Sequence, residues 1–469
     1  MAPSTDKFSS LPHSLLSTIV SLIPFREAVR TSILSKSWID VFKYTSNIEF
    51  DEASFVKDGQ TYQIRQAQRK AFLEFVLLWI ANHTKTVVDK FSLRLSFPGK
   101  VKRVVRECIT FATKHGVKEL ELDFSDPTLD CYFTTNYTKH EALFELPSHV
   151  YGHTCLKSLK LFSCSLVEAE LLNFHALKEI SLGWMEVKLI TIKTLLSNCE
   201  ALDSLSLKRC WNSDDFDLRE ENLRLRKLVV DRCMFKPNSR YFIVNAPNLR
   251  YFYYSGLNNN FLVMDIRSLM MEEEALDFSV EYEGHALFLY KLVQDHISGG
   301  STLTVCNYFL QVVPTGGCRL RIPHSSNVRS LTIKTSLDQN EVLGITFLLN
   351  SCPELEHLTI KLGIPNNYWN CELPDNFNLE RFWTDHARAY NCMVDALKEV
   401  EIKGFKGSMN EIHMITYFIT IGRVLRKMTI NILKDDVANQ DESLNSYCRD
   451  MIETLMSQRA SRDLEISIY

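Results

Sequence analysis

A chain of 469 residues exceeds one compact core and should form two or three domains or one elongated array. Lys plus Arg number 53 against 57 Asp plus Glu, and a net charge of −4 gives no general pull toward nucleic acid or an anionic membrane. The longest apolar run, over 72–81, contains Glu74 and is far too short to span a bilayer, while residues 1–10 lack a signal-peptide core. Cytosol or nucleus is therefore the expected location.

The first predicted elements are three short helices. Leu15, Leu16, Ile19, Leu22 and Ile23 form a one-sided stripe at helical spacing. Pro12 suits the first turn, where the amide it lacks would have no intrahelical partner. Pro24 closes this segment, and Phe25, Ala28, Val29 and Ile33 begin a second stripe. Ser35 reads as the N-cap of a third, which carries Trp38, Val41 and Phe42. Even a 60-residue domain hides only ~60% of its chain's surface, so this unit has apolar surface to spare. A partner protein is expected to cover the surplus.

These residues resemble an F-box. The family pattern is carried by Leu11-Pro12, Leu15-Leu16, Ile19, Leu22, Pro24, Ala28-Val29, Ser32, Leu34-Ser35-Lys36 and Trp38, and the match runs over 8–50. The resemblance implies a three-helix domain that binds a Skp-type adaptor and, through it, a cullin ubiquitin ligase. It also implies an adaptor-facing set of Leu11, Pro12, Leu15, Leu16, Ile19, Leu22, Ala28, Val29, Leu34 and Trp38.

A linker over 51–65, centred on Lys57-Asp58-Gly59-Gln60, should lead to a helix over 66–82 with Ala71, Phe72, Phe75, Val76, Leu78 and Trp79 on its apolar side. A short phrase then recurs: apolar, two variable, apolar, one variable, apolar. It reads Val88-Phe91-Leu93 and Val117-Leu120-Leu122. The clearest run is Leu156-Leu159-Leu161, Leu177-Ile180-Leu182, Leu202-Leu205-Leu207, Leu225-Leu228-Val230 and Leu249-Phe252-Tyr254, stepping by 21, 25, 23 and 24 residues. That is the period of leucine-rich repeats, in which each unit supplies one strand of a curved parallel sheet. Later copies read Ala275-Phe278-Val280, Val328-Leu331-Ile333, Leu355-Leu358-Ile360, Leu397-Val400-Ile402 and Leu425-Met428-Ile430. A longer insertion lies over 123–153, and over 282–323 the pattern weakens, leaving Leu303 and Val305 as a possible strand.

Cys164, Cys210 and Cys233 stand three places after a phrase, where a small side chain faces turn backbone. Two similar lead-ins, Leu195-Leu196-Ser197-Asn198-Cys199 and Leu348-Leu349-Asn350-Ser351-Cys352, read as ends of helices returning to the sheet. No Cys-x-x-Cys pair occurs among the 13 cysteines, so they are expected to be unpaired, metal-free core thiols. Toward the end, Leu397, Val400, Ile402, Lys403-Gly404-Phe405-Lys406-Gly407 and Val424-Leu425 with Lys427-Met428-Thr429-Ile430 resemble the FBD domain that follows leucine-rich repeats in plant F-box proteins. Leu444, Cys448, Met451, Ile452 and Leu455 trace a further helix, and Leu464, Ile466 and Ile468 a final strand.

No zinc-protease, phosphate-loop, dinucleotide or Gly-x-Ser-x-Gly pattern occurs, and His140-Glu141 leads only to Ala-Leu-Phe. No catalytic residue, metal or cofactor is expected. Lys100, Lys102, Arg103 and Arg106 are best read as the solvated side of a helix whose other side is Val101, Val104, Val105, Cys108 and Ile109. Residues between the apolar ones should face the concave surface, and Arg250, Tyr251 and Tyr253 there have the composition of an interface anchor.

The sequence thus predicts a mixed α/β fold: an F-box over 1–50, a linker and capping helix over 51–87, an irregular repeat solenoid over 88–390, and an FBD-like segment over 391–469. The expected function is the substrate-recognition subunit of an SCF-type ligase, with an unnamed target protein, no nucleic acid and no membrane. The rival is a non-degradative scaffold, or a protein that sequesters the adaptor.

Overall fold

The computed structural model describes residues 11–33, 38, 41, 45–57, 59–83, 87–125, 143–167, 174–211, 215–219, 224–235, 240–256, 263–278, 300–312, 326–363, 381–383, 389–433 and 454–469. The chain divides into two compact units, Met1–Ser213 and Asp214–Tyr469, each a mixed α/β structure built on parallel strands.

The first unit opens with helix His13–Leu22, helix Phe25–Arg30 and a 3-10 turn Thr31–Ile33. Pro12 is the residue just ahead of the first helix, one place before the expected first turn, and its carbonyl accepts N–H bonds from Leu15 (2.9 Å) and Leu16 (3.2 Å). Pro24 both ends one helix and starts the next. It forces Ile23 into extended backbone, and its carbonyl takes the Ala28 N–H at 2.9 Å. Leu16, Val20, Ala28, Trp38 and Val41 make a small core, with Leu11, Ile19 and Ile23 packed against it. The proposed N-cap Ser35 lies outside the described residues.

Strands Asn47–Asp51, Lys90–Arg94, Glu119–Asp123, Ser158–Phe162, Glu179–Gly183 and Ser204–Lys208 follow side by side, each parallel to its neighbour. The expected phrases become strands with all their apolar members inside: Leu156, Leu159, Leu161, Leu177, Ile180 and Leu182 are at most 1% exposed. Each such side chain contributes roughly 2 kcal/mol of apolar burial, an upper figure because unfolded chains are not fully extended. The helix predicted over 66–82 begins earlier, as Tyr62–Ala81.

The boundary expected at 50/51 falls inside the first strand. Asn47–Asp51 pairs with Lys90–Arg94, so the sheet begins within the stretch assigned to the F-box and linker. The junction is packed as well. The Phe25 ring sits edge-on to Phe50 (5.4 Å) and Trp79 (5.3 Å), and Phe50 meets Phe91 at 5.9 Å. Asn47 Nδ2 donates to the Ser21 carbonyl at 3.1 Å. Beside this aromatic cluster, buried Glu52 accepts from Ser96 N and Oγ, both at 2.7 Å, and pairs with Arg69 Nε at 3.3 Å. Arg69 in turn donates to the carbonyls of Ser96 and Phe97. The residues between the F-box helices and the capping helix are therefore fastened at both ends.

In the second unit, strands Lys227–Asp231, Tyr251–Ser255, Glu273–Asp277, Thr302–Val305, Ser330–Lys334, His357–Lys361, Glu399–Phe405, Lys427–Ile432 and Glu465–Ile468 run parallel in that order. The segment expected as a separate domain over 391–469 thus adds its strands to the same sheet. The phrase read at Ala275-Phe278-Val280 is out of register. Pairing sets Phe252 against Glu274 and Tyr254 against Leu276, so Glu274 and Leu276 point inward and Ala275 lies on the variable face. Glu274 occupies an apolar slot, which hid the repeat from a pattern based on hydrophobicity. Val280 lies outside the described residues, as do 434–453, which carry most of the last predicted helix.

The lead-in phrases are helix ends in both units. Helices Leu189–Asn198 and Gln339–Ser351 end at Cys199 and Cys352, whose N–H groups bond Leu195 and Leu348. Their carbonyls then accept from Leu202 (2.9 Å) and Leu355 (3.2 Å), the first residues of the next phrases. Helix Gln339–Ser351 approaches Asn307–Val312 closely, since a Cβ on Gly344 would lie 2.2 Å from the Leu310 carbonyl oxygen. Helix Met409–Ile421 starts with a capping box between Ser408 and Glu411. A feature unseen in the sequence is a second, smaller parallel sheet of Phe216–Leu218, Tyr241–Asn245 and Val263–Arg267, with Phe216 stacked on Phe242 at 4.6 Å.

Glu52→Gln should lower the unfolding free energy by about 3 kcal/mol, because it leaves a largely buried guanidinium without its carboxylate. Denaturant titration of the full chain checks this, and an unchanged midpoint would show that the junction is not fastened by this pair.

Candidate functional site

The helical N-terminus separates its apolar residues into two sets. Of the expected adaptor-facing residues, Leu16, Ala28 and Trp38 belong to the small core, while Leu11, Ile19 and Val29 are half-buried. Pro12, Leu15 and Leu22 are exposed, with Leu15 at 50% and Leu22 at 80%, and Ile33 joins them at 85%. Leu15 and Leu22 are seven residues apart, two helical turns, and so share one side of the helix. Leu34 lies outside the described residues. Pro12, Leu15, Leu22 and Ile33 are thus apolar residues that these helices leave exposed among the described ones. Ile33 was absent from the set drawn from the family pattern.

The second candidate is the variable face of the second unit. Tyr251 lies between Lys227 and Glu273 on adjoining strands and is 43% exposed. Tyr253 lies between Val229 and Ala275 and is half-buried. Burial pushes the Tyr253 hydroxyl above its ordinary pKa; the Asp231 and Asp277 carboxylates add to this, while a Ser255 hydrogen bond and Lys334 oppose it. Lys334 reaches back to Asp277, which holds its ammonium charged despite burial. Arg250 does not share this surface equally. It precedes the strand and pairs with Glu272 at 2.9 Å.

The cysteines follow the repeat geometry. Ser163, Arg209 and Arg232 adopt left-handed backbone (φ 55°, 52° and 49°), turning the chain so that the following thiol points back at the strand end. Cys164 Sγ donates to Phe162 O (3.6 Å), Cys210 to Leu182 O (3.3 Å) and Cys233 to Asp231 O (3.8 Å). Burial pushes the thiols of Cys108, Cys306 and Cys392 up to about 12, and those of Cys199 and Cys352 to about 11. Such thiols are poor nucleophiles and poor metal ligands at neutral pH. Among the described residues no cluster of His, Cys, Asp and Glu is placed to hold a metal.

The basic cluster at 100–106 also resolves. Helix Lys102–Lys114 buries Val105, Cys108, Ile109, Phe111 and Ala112 and leaves Arg103 outside, paired with Glu107 at 2.8 Å. Lys100 sits apart, over the Phe97 ring, on the wall of a cleft of about 900 Å³ in the first unit. Two cations of that cleft are already engaged. Arg69 is held by Glu52, and Arg94 is held by Asp123 (3.0 Å), Asp51 (3.4 Å) and Glu121 (3.6 Å).

Comparison with known proteins agrees with this division. Residues 8–48 match the F-box domain, and residues 79–469 match the family described as At1g61320/AtMIF1, LRR domain. The second match runs through 391–469 without a break, as the strand pairing does. The chain is 30% identical over 434 residues to F-box protein At3g62230 of Arabidopsis thaliana, covering 91% of each. It is also 30% identical over 426 residues to Putative F-box/LRR-repeat protein At5g54820 of the same organism, covering 88% of each. With F-box/FBD/LRR-repeat protein At1g78750, again from Arabidopsis thaliana, it shares 24% over 456 residues, 94% of this chain and 92% of the relative.

Two outcomes test the geometry. Tyr251→Ala should leave stability within about 0.5 kcal/mol, whereas Tyr253→Ala should cost about 1–3 kcal/mol through lost packing. Thermal unfolding of the two variants separates anchor from packing residue. On brief maleimide treatment at neutral pH, exposed Cys155 should label, and Cys108, Cys306 and Cys392 only after unfolding, as read by peptide mass spectrometry.

Proposed function

The chain belongs to the F-box/leucine-rich-repeat family, and we propose that it serves there as a substrate-recognition subunit of an SCF-type cullin ubiquitin ligase. The F-box takes a Skp-type adaptor, and the repeats take a target protein. The observation that carries this reading is that Pro12, Leu15, Leu22 and Ile33 stay exposed on a helical unit whose own core is already filled by Leu16, Val20, Ala28 and Trp38. Exposed apolar side chains rimmed by polar residues are what a protein-docking surface presents. In such a complex the chain supplies no chemistry. It raises the effective concentration of a target lysine near an enzyme that others bring, in the cytosol or nucleus.

The packed junction supports that role within the first unit. Phe25 of the F-box is wedged against Phe50 and Trp79, so a docked adaptor has a fixed orientation relative to the first strands.

Combined Pro12→Ala, Leu15→Ala and Leu22→Ala should weaken binding of a purified Skp-type adaptor by at least about tenfold and leave the unfolding midpoint of the repeats unchanged. Unaltered affinity would place the docking surface elsewhere. Ubiquitin transfer to a captured target in a reconstituted reaction then distinguishes a ligase receptor from a non-degradative scaffold, which would hold both partners without transfer.

A further inference from the structure

Parallel pairing lines up the fifth residues of successive strands in the second unit. Asp231, Ser255 and Asp277 come first. Beyond the Thr302–Val305 strand the sign reverses: Lys334, Lys361 and Lys403 stand directly opposite one another on three adjacent strands. Like charges directly opposite across strands repel, and the repulsion needs an offset. Lys334 has one in Asp277, and Lys403 has one in Glu401 at 3.0 Å. Lys361, in the middle, is exposed and has no ion-pair partner among the described residues. Exposed Lys406 adds a fourth cation, its Cε 4.0 Å from where a side chain on Gly363 would begin. Beside the ladder runs a row of half-buried hydroxyls, Thr304, Thr332 and Thr359, that can donate to an acceptor.

Resting on the reading of this chain as a target receptor, we infer that the target segment bound by the second unit is extended and anionic, and that it lies across the ladder with its negative side chains toward Lys361 and Lys403. Strands are about 4.8 Å apart, so three lysines span roughly 10 Å. Side chains on one side of an extended peptide repeat at about 6.8 Å, so acids two residues apart reach neighbouring rungs within the freedom of the lysine chains. An incoming acid meets the uncompensated Lys361 first and competes with Glu401 for Lys403. Toward Tyr253 the row turns acidic: Asp277 is already paired with Lys334 and Asp231 repels the same charge, which confines the segment to the basic end of the face. Carboxylates of Asp or Glu and phosphate esters of Ser or Thr share this chemistry.

The test uses the full chain and fluorescein-labelled Gly/Ser peptides carrying alternate glutamates, alternate phosphoserines, or alternate glutamines, read by anisotropy. The glutamate and phosphoserine peptides should bind, with affinity falling as salt rises, and the glutamine peptide should not. Stronger binding of the phosphoserine peptide identifies phosphate esters as the natural source, and equal binding identifies carboxylates. Lys361→Glu with Lys403→Glu should weaken the preferred peptide by at least roughly tenfold, Lys361→Gln should weaken it less, and Lys227→Glu, on the same sheet but off the ladder, should leave it unchanged. Equal binding of the glutamine peptide, equal binding of an oligothymidylate of matched charge, or indifference to the lysine changes would overturn the inference. Adaptor binding is measured on every variant: if it persists while the peptides fail, only the anionic segment is wrong, and if it is absent from the unaltered chain the receptor reading fails by itself.

Discussion

One backbone carbonyl per repeat sets the register on which everything else depends. Just ahead of most strands, a single oxygen accepts two consecutive N–H groups from the next repeat: Ser46 from Asp89 and Lys90, Lys118 from Lys157 and Ser158, Lys178 from Asp203 and Ser204. The second unit repeats the device at Arg226, Arg250, Ser301, Arg329, Glu356 and Lys398. A slip of one residue would break both bonds and turn each inward leucine toward water. Because the register holds, the inward residues stack into a continuous core, and the residues between them form straight rows across the variable face. Both recognition arguments use those rows. Tyr251 and Tyr253 have defined neighbours, and Lys334, Lys361 and Lys403 meet, because pairing leaves them no alternative.

The second constraint is the aromatic junction. An F-box joined by a loose linker would be free to drift relative to the first strands, and the receptor role proposed above depends on its not doing so. Phe25, Phe50, Phe91 and Trp79 prevent that drift in the first unit, and the Glu52–Arg69 pair closes the polar side of the same joint. The stretch between strand Asn47–Asp51 and helix Tyr62–Ala81 is short and polar in sequence yet works as a bracket.

Much of the fold was legible because a strand buried on one face declares itself by period, and the triplets from Leu156 to Tyr254 all lie inside. The pattern failed where chemistry departs from hydrophobicity. Glu274 fills an inward slot, so the apolar pattern matches only four places later, at Ala275-Phe278-Val280. The strand Asn47–Asp51 carries Ile48 and Phe50 inward but stands beside a helical motif that dominates its neighbourhood. The small sheet through Tyr241–Asn245 lies in stretches between the repeat phrases to which the sequence assigns no element, and short apolar runs do not distinguish strand from helix by themselves. For the site, the family pattern marks residues kept apolar without saying which side they face. Leu16 and Trp38 match it because they hold the F-box together; Leu15 and Leu22 match it and stay exposed. The lysine ladder could not be read at all, since three lysines 27 and 42 residues apart become neighbours only through strand pairing.

The central claim is that one end of the chain holds an adaptor while the repeats hold something else. Deleting residues 1–50 would be a poor test, because it removes most of strand Asn47–Asp51 and the Phe50 ring from the junction. Leu15→Asp with Leu22→Asp changes only exposed positions. The direct measurement is affinity capture of the intact chain and this variant from cells with the proteasome blocked, followed by quantitative mass spectrometry. The account predicts that adaptor and cullin disappear from the variant while the proteins held by the repeats remain. Retention of adaptor and cullin by the variant would contradict it, as would loss of every captured protein together with them.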